Sequence, residues 1–326
     1  MTLIDKFERV HKDLRVSLTD KCNLRCTYCM PESGVDWIGK AKHLTAEELH
    51  RVVGILCELG ISEIRLTGGE PLLHPEILDI VKILNKLPTK PEISMTTNAT
   101  RLDKLAFELK SAGLKRLNIS LDTLNPNTFK ELTRRDGFEE TMAGISAAKL
   151  AGFPIKINSV LMRNINDDEA ILLLDWAIEN NFELRFIEQM PLDAQHAWDK
   201  NLMITQQEIF EALSKKYKLV SLKNRGSDPA ELFSIEGTNI KVGIIASVSA
   251  PFCSNCDRLR LTSDGQLRNC LFASEESDLR IPLRNNATDD ELRAIIKANV
   301  SQKKRGHGIG EPDFVQPIRP MSAIGG

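Results

Sequence analysis

Leu14-Arg15-Val16-Ser17-Leu18-Thr19-Asp20-Lys21-Cys22-Asn23-Leu24-Arg25-Cys26-Thr27-Tyr28-Cys29 runs from a short alternating β-like segment straight into a loop holding three cysteines. Five further β-like runs follow: Glu63 to Leu66, Glu92 to Met95, Arg116 to Ser120, Ile155 to Leu161 and Glu183 to Ile187. Helical patterns separate them, such as Thr45 to Leu59, which opens with the capping box Thr45-x-x-Glu48, and Asn166 to Asn180. Strands alternating with amphipathic helices predict six βα units around a parallel sheet.

In parallel α/β folds, sites gather where strands end at their carboxyl edge. The six ends here read Thr19-Asp20 before the first cysteines, Thr67-Gly68-Gly69-Glu70-Pro71, Thr96-Thr97-Asn98, Ser120-Leu121-Asp122, the strand residues Lys156 and Asn158, and Glu188-Gln189-Met190. Polar residues at the close of every strand point to one shared site. After Thr205 to Lys216 the alternation breaks down, and Leu219 to Ala250 reads as short strands and turns. This predicts a core over residues 1–220 and a second region over 221–326. From about Ser301 the chain is rich in Gly, Pro and basic residues, and composition alone makes it a frayed tail.

With 326 residues, 42% hydrophobic and 27% charged, the chain can bury a full core without disulfides. A formal charge of -2 gives no pull toward nucleic acid or membrane. Met1 to His11 carries Asp5, Lys6, Glu8 and Arg9, so the uncharged core of a secretory signal is lacking, and no apolar stretch is long enough to span a bilayer. The expected location is the cytoplasm. Of seven cysteines, six fall in two tight clusters, a pattern that suits metal rather than disulfides in a reducing compartment. Cys57, alone in a helical apolar pattern, reads as a small core residue.

Cys22, Cys26 and Cys29 offer three sulfur ligands from one loop, whereas structural zinc and a simple ferredoxin-type cluster each take four. A cubane held this way leaves one iron without a protein ligand, open to a small molecule that chelates through an amine and a carboxylate. A zinc knuckle completed by His43 or Cys57 is the competing reading. Gly68-Gly69-Glu70-Pro71 allows close backbone approach to a ligand, with Glu70 able to accept from an ammonium, although a plain turn accounts for it equally well. Cys253-x-x-Cys256 with Cys270 repeats the arrangement, again with the fourth cysteine missing, and here zinc completed by His307 competes. Arg258 and Arg260 share one face of a strand beside this second trio and could clamp phosphates.

The spacing C-x3-C-x2-C with an aromatic before the last cysteine resembles the radical SAM superfamily. Together with Ser17 to Cys22, Arg65 to Pro71, Arg185 to Pro191, Cys253 to Leu261 and Met321 to Gly326, it is similar to the GTP 3′,8-cyclase family of molybdenum-cofactor biosynthesis over essentially the whole chain. The resemblance implies an α/β fold, a partial (βα)6 TIM-like barrel with a C-terminal α+β extension carrying a second iron-sulfur cluster. It implies two 4Fe-4S clusters, one on Cys22, Cys26 and Cys29 and one on Cys253, Cys256 and Cys270, with S-adenosylmethionine (SAM) bound at the first and GTP at the second. Reductive cleavage of SAM would yield a 5′-deoxyadenosyl radical that takes hydrogen from the ribose 3′ carbon, and attack on carbon 8 of guanine would give 3′,8-cyclo-7,8-dihydro-GTP.

Position by position, Tyr28, Gly69, Ser120 and Met190 match SAM contacts, with Glu70 beside them. Arg15, Arg65, Thr96, Lys156, Arg258 and Arg260 match GTP contacts, and Gly325 and Gly326 are expected to fold back into the active site. No ligand position departs from the pattern. Implied partners are the downstream cyclic pyranopterin monophosphate synthase and an external electron donor such as a flavodoxin system, with room left for a homodimer. Two rivals remain: a peptide-modifying radical SAM enzyme with an auxiliary cluster, and a non-catalytic zinc-binding module.

Overall fold

Each strand of the barrel alternates between a helix-facing apolar residue and an inward polar one, and this period of two decides which side of the sheet becomes the site. In β1 (Asp13–Ser17), Leu14 and Val16 are sealed under helices while Arg15 faces the interior. The computed structural model describes residues 2–222 and 225–325. The chain continues through α1 (Ala46–Glu58), β2 (Glu63–Thr67), α2 (Ile77–Asn85), β3 (Glu92–Thr97), α3 (Leu102–Ala112), β4 (Arg116–Ser120), α4 (Pro126–Thr133), α5 (Phe138–Leu150), β5 (Ile155–Val160), α6 (Ala170–Asn180) and β6 (Glu183–Ile187). All six predicted βα strands are present, and the predicted capping box starts α1, with Thr45 and Glu48 each accepting from the other's backbone N–H.

Beyond β6 come α7 (Gln206–Ser214), β7 (Leu219–Ser221), β8 (Glu231–Ile235), β9 (Lys241–Ile245), β10 (Arg258–Leu261), β11 (Gln266–Arg268), β12 (Ser277–Asp278), α8 (Arg280–Arg284), α9 (Asp289–Ser301) and α10 (Met321–Ile324). One twelve-stranded sheet results, in the order β12-β11-β10-β1-β2-β3-β4-β5-β6-β9-β8-β7. From β10 through β9 every pairing is parallel, and antiparallel strands finish both edges. The strands after residue 220 therefore extend the first six at both ends. Parallel strands are usually apolar on both faces. Here Arg15, Arg65, Asn118, Asn158 and Arg185 point inward, so the interior is kept for a polar ligand rather than filled as core.

The tail departs from the expectation that composition sets. Ile324 is 1% exposed and packs with Leu192 and Phe272 in a small apolar cluster, which offsets the ordering cost that its glycines impose on this segment.

At the other end, Ile4 pairs with Val10, and Asp5 accepts from the Phe7 and Arg9 amides, from Arg9 Nε at 2.7 Å and from His11 Nε2 at 3.2 Å. Burial holds His11 neutral, lowering its pKa from 6.5 to about 4. The unfolded chain then binds the extra proton first, so this contribution is complete above pH 6.5 and is lost as pH falls toward 4. It amounts to about 3 kcal/mol. Urea midpoints between pH 7 and 4 are expected to fall more steeply for the native chain than for His11→Gln, and parallel slopes would exclude the assignment.

Candidate active site

The loop after β1 is shaped by the Gly-Gly segment beneath it. Gly69 N–H donates to Thr19 O at 2.7 Å and Glu70 N–H to Lys21 O at 2.8 Å. A Cβ on Gly69 would lie 2.4 Å from Lys21 O and 2.6 Å from Asp20 O, and one on Gly68 2.4 Å from Thr19 O. The paired glycines thus carry the cysteine loop at backbone contact, where no side chain fits. From outside, the Arg25 and Thr27 amides donate to Thr133 O and Leu132 O, each at 2.9 Å. Arg25 Nη1 donates to the carbonyls of Cys22 and Leu24.

Cys22, Cys26 and Cys29 are all unbridged. Burial pushes the Cys22 thiol up to about 11, Cys29 up to about 12 and Cys26 well above its ordinary value. Such thiols become thiolates when a cation is supplied, as in a metal cluster. Among the described residues, no three His, Cys, Asp or Glu side chains gather as one shared ion would require. Three sulfur donors from one loop without a fourth suit a cluster with one iron left open better than structural zinc, which takes four ligands. The proposed fourth zinc ligands lie elsewhere: Cys57 is 5% exposed within the core of α1, and His43 faces Asp20 at 3.6 Å.

Beside this trio, Tyr28 donates to Asp122 Oδ2 at 2.7 Å, and Asp122 Oδ1 accepts from Val160 N–H at 2.8 Å. Burial raises the Asp122 carboxyl to about 6. Gly69, Ser120 and Met190 line the same region. Glu70, also in the wall, is already engaged: Oε1 accepts from Thr97 Oγ1 at 2.7 Å and Leu72 N–H at 3.0 Å, and Oε2 from Asn98 N–H at 2.7 Å. It ties the end of β2 to the end of β3, and burial raises it to about 7. Asn98 in turn places its amide Nδ2 3.9 Å from Cys22 Sγ.

Across the interior lies the second trio. Cys253 and Cys256 bracket a single turn leading into β10, and Cys270 follows β11. The register sets Arg15 beside both Arg260 and Arg65, with Arg258 two residues earlier on β10 beside Asp13. Arg258 Nε is 3.5 Å from Asp13 Oδ2, and its Nη2 donates to Ser227 O at 2.6 Å. The Nε atoms of Arg15, Arg65 and Arg258 are buried without a hydrogen-bond partner. Burial and then Arg258 push Arg260 down to about 10, while Arg15 is pushed well down by burial, Arg260 and Arg65. Asp13 stands among four guanidinium groups, with Asp257 acting on Arg258 and Glu63 on Arg65, and this concentration of buried cations favours an anionic ligand.

His307 cannot complete a zinc site here, because Nε2 donates to Ser247 O at 2.9 Å and Nδ1 accepts from Ile309 N–H at 3.0 Å. Thr96 lies in the wall, but Lys156 does not. Its ammonium pairs with Glu183 at 3.1 Å, one layer below. Gly325 closes the top of β1 and β2, its carbonyl accepting from Arg260 Nη1, with room for no side chain beside Thr67 Oγ1. Gly326 lies outside the described residues. The wall also includes Asp122 and Asn158, singled out at the strand ends, and Asn118 and Arg185, to which the motifs give no role although strand alternation marks them as inward-facing. Arg185 pairs with Asp228 at 3.0 Å. The cavity, about 330 Å³ and open at one side, is lined by cysteines of both trios.

Residues 16–177 match the radical SAM superfamily, and residues 182–309 match the family described as Molybdenum Cofactor Synthesis C. The GTP 3′,8-cyclase of Streptomyces coelicolor is 54% identical over 99% of this chain and 96% of its own length. That of Mycobacterium sp. strain KMS is 50% identical over 99% and 93%. The chain belongs to the GTP 3′,8-cyclase family. Solved structures share its fold at low identity. Streptococcus suis SuiB bound to S-adenosylmethionine superposes with a TM-score of 0.59 at 14% identity, covering 89% of this chain and 69% of SuiB. The protein anSMEcpe with bound AdoMet gives 0.61 at 14%, covering 92% and 79%. The partial (βα)6 barrel that the resemblance implies, in keeping with the six βα units read from the strand pattern, is thus the fold of this family member, and its cofactors are SAM and a 4Fe-4S cluster.

Proposed function

We propose that the chain converts GTP to 3′,8-cyclo-7,8-dihydro-GTP, the first step of molybdenum-cofactor biosynthesis, in the space between its two cysteine trios. Family membership supports the reaction, and the observation that carries the substrate is the group of Arg15, Arg65, Arg258 and Arg260 gathered around Asp13. A nucleoside triphosphate brings close to four negative charges and bidentate acceptors for guanidinium groups. A peptide substrate, the alternative for a radical SAM enzyme with an auxiliary cluster, would leave these cations unbalanced.

In this reading Cys22, Cys26 and Cys29 hold one 4Fe-4S cluster, and Cys253, Cys256 and Cys270 hold a second that orients the purine. When bound, the first cluster and SAM supply the electron and the 5′-deoxyadenosyl group that takes a hydrogen atom from the substrate. The remaining work falls to the chain. Gly69 keeps the loop close enough for backbone contact with SAM, Tyr28 is aimed by Asp122, Ser120 and Met190 complete the SAM wall, and Glu70 anchors that wall. The four arginines and Thr96 hold the triphosphate so that the ribose faces SAM. Lys156 reaches the phosphates if GTP draws it from Glu183, and Gly325 caps Arg260.

Residues 1–220 then form the SAM-cleaving core and 221–326 the substrate side. An external low-potential donor of the flavodoxin class supplies electrons, and the downstream cyclic pyranopterin monophosphate synthase takes the product. A homodimer is compatible with this arrangement. We place the protein in the cytoplasm; no helix among the described residues is long and apolar enough to cross a membrane.

The direct test is anaerobic incubation with dithionite, SAM and GTP, followed by mass analysis. Stoichiometric 5′-deoxyadenosine and a cyclised nucleotide are expected, with about eight irons per chain in the purified protein. 5′-Deoxyadenosine without conversion of GTP would remove the substrate assignment, and colourless protein with bound zinc would remove the radical chemistry.

A further inference from the structure

We propose that Lys303 is a positioning residue for the second cluster, its buried ammonium supplying the counter-charge that lifts that cluster's reduction potential. This rests on the reading of Cys253, Cys256 and Cys270 as cluster ligands.

Lys303 is 2% exposed, yet no carboxylate lies within ion-pair distance of it among the described residues. Its Nζ donates to Arg258 O at 2.7 Å and lies 3.7 Å from Cys256 Sγ. A buried ammonium without an anion is costly, and lysines so placed are normally paired. The negative charge within reach is on sulfur.

The ammonium is also held in register with the ligand loop. Lys303 N–H donates to Val300 O at 3.1 Å as α9 ends. The following carbonyls, Lys304 O and Arg305 O, accept from Arg9 at 2.8 and 3.2 Å, and the same guanidinium donates to Cys253 O at 2.7 Å. Asp5 fixes that guanidinium through Nε. One buried arginine therefore ties the Lys303 segment to the Cys253 turn, so the ammonium and the ligands keep their spacing. Arg258 Nη1, 3.9 Å from Cys256 Sγ, adds a second cation.

The first trio is built differently. Its sulfurs meet neutral donors, the Asn98 amide, the Tyr28 hydroxyl and the backbone amides of Leu24 and Ser322. Arg25 acts on Cys22 only as a nearby charge, and among the described residues no Lys or Arg is hydrogen-bonded to Cys22, Cys26 or Cys29 sulfur. Reduction adds one negative charge to a cluster, and nearby cations and N–H···S contacts stabilise that state. The two clusters are thus set in unlike fields, and Lys303 makes the largest close difference.

The test uses the full chain with Cys22, Cys26 and Cys29 changed to alanine, so that only the second trio can load. Its cluster is titrated under paramagnetic-resonance detection with Lys303 native, Lys303→Met and Lys303→Arg. Lys303→Met is expected to disfavour reduction at least tenfold, a downward shift of about 59 mV for one electron, while Lys303→Arg stays near native. Should Lys303→Met lose the cluster, retention by Lys303→Arg supports the charge role, and equal loss in both overturns it in favour of packing. An unchanged potential in a loaded Lys303→Met chain also overturns it. No iron in the parent chain would instead refute the second cluster, and this role with it.

Discussion

Gly69→Ala is expected to empty the first cysteine trio, taking iron from about eight toward about four per chain and turnover down by at least about 100-fold. The added methyl would sit 2.4 Å from Lys21 O and 2.6 Å from Asp20 O. Both are backbone atoms, so neither can rotate aside as a side chain would. Either the Gly69 N–H to Thr19 O bond breaks or the loop carrying Cys22 moves, and a loop held from outside by Leu132 and Thr133 cannot shift without moving its sulfurs. Gly152→Ala is the control, since no atom lies within 4 Å of its added methyl. There the positive φ costs about 1 kcal/mol and iron is retained. A Gly69→Ala enzyme with full iron and near-native turnover would show that the close packing of this loop is not needed.

Removal of Gly325 and Gly326 is expected to lower kcat by at least about 100-fold while both clusters and SAM binding persist. Gly325 presents its carbonyl to Arg260, which is 4% exposed and surrounded by Arg15 and Arg258. Without that acceptor the guanidinium is free to swing toward Asp13 or the phosphates, and the triphosphate loses its fixed orientation. Iron content and SAM affinity report folding, whereas the ratio of 5′-deoxyadenosine to cyclised nucleotide reports orientation. Uncoupled SAM cleavage is the expected signature. Native coupling after deletion would leave the tail with a packing role only, which Ile324 can fill by itself.

The six βα units were legible because their strands alternate: Leu14 and Val16 outward, Arg15 and Ser17 inward, repeated at Ile64 and Leu66 around Arg65, while the barrel itself came from the family resemblance. The cysteine trios were legible from spacing. What local pattern does not encode is which strand becomes whose neighbour, so the insertion of β10 beside β1 and β9 beside β6 had no signal in either segment alone. The same limit hid partners distant in sequence. Glu70 reads as an available acceptor until Thr97 and Asn98 are folded onto it. Lys156 reads as an unpaired cation until Glu183 arrives from the next strand. His307 passes for a metal ligand until Ser247 and Ile309 take its two nitrogens. Lys303 carries no motif at all, and its meaning comes from the sulfur it meets.

The Arg9 contact to Cys253 O joins residues 244 apart in sequence. At typical synthesis rates a ribosome needs about 12 to 50 seconds to cover that interval. Throughout it, β1 waits with one edge bare and no β10 to cover it, a sticky surface in a crowded cell. Slowing translation downstream of β1 should therefore lower soluble yield, and chaperone supply should matter more for this barrel than its ordinary composition suggests.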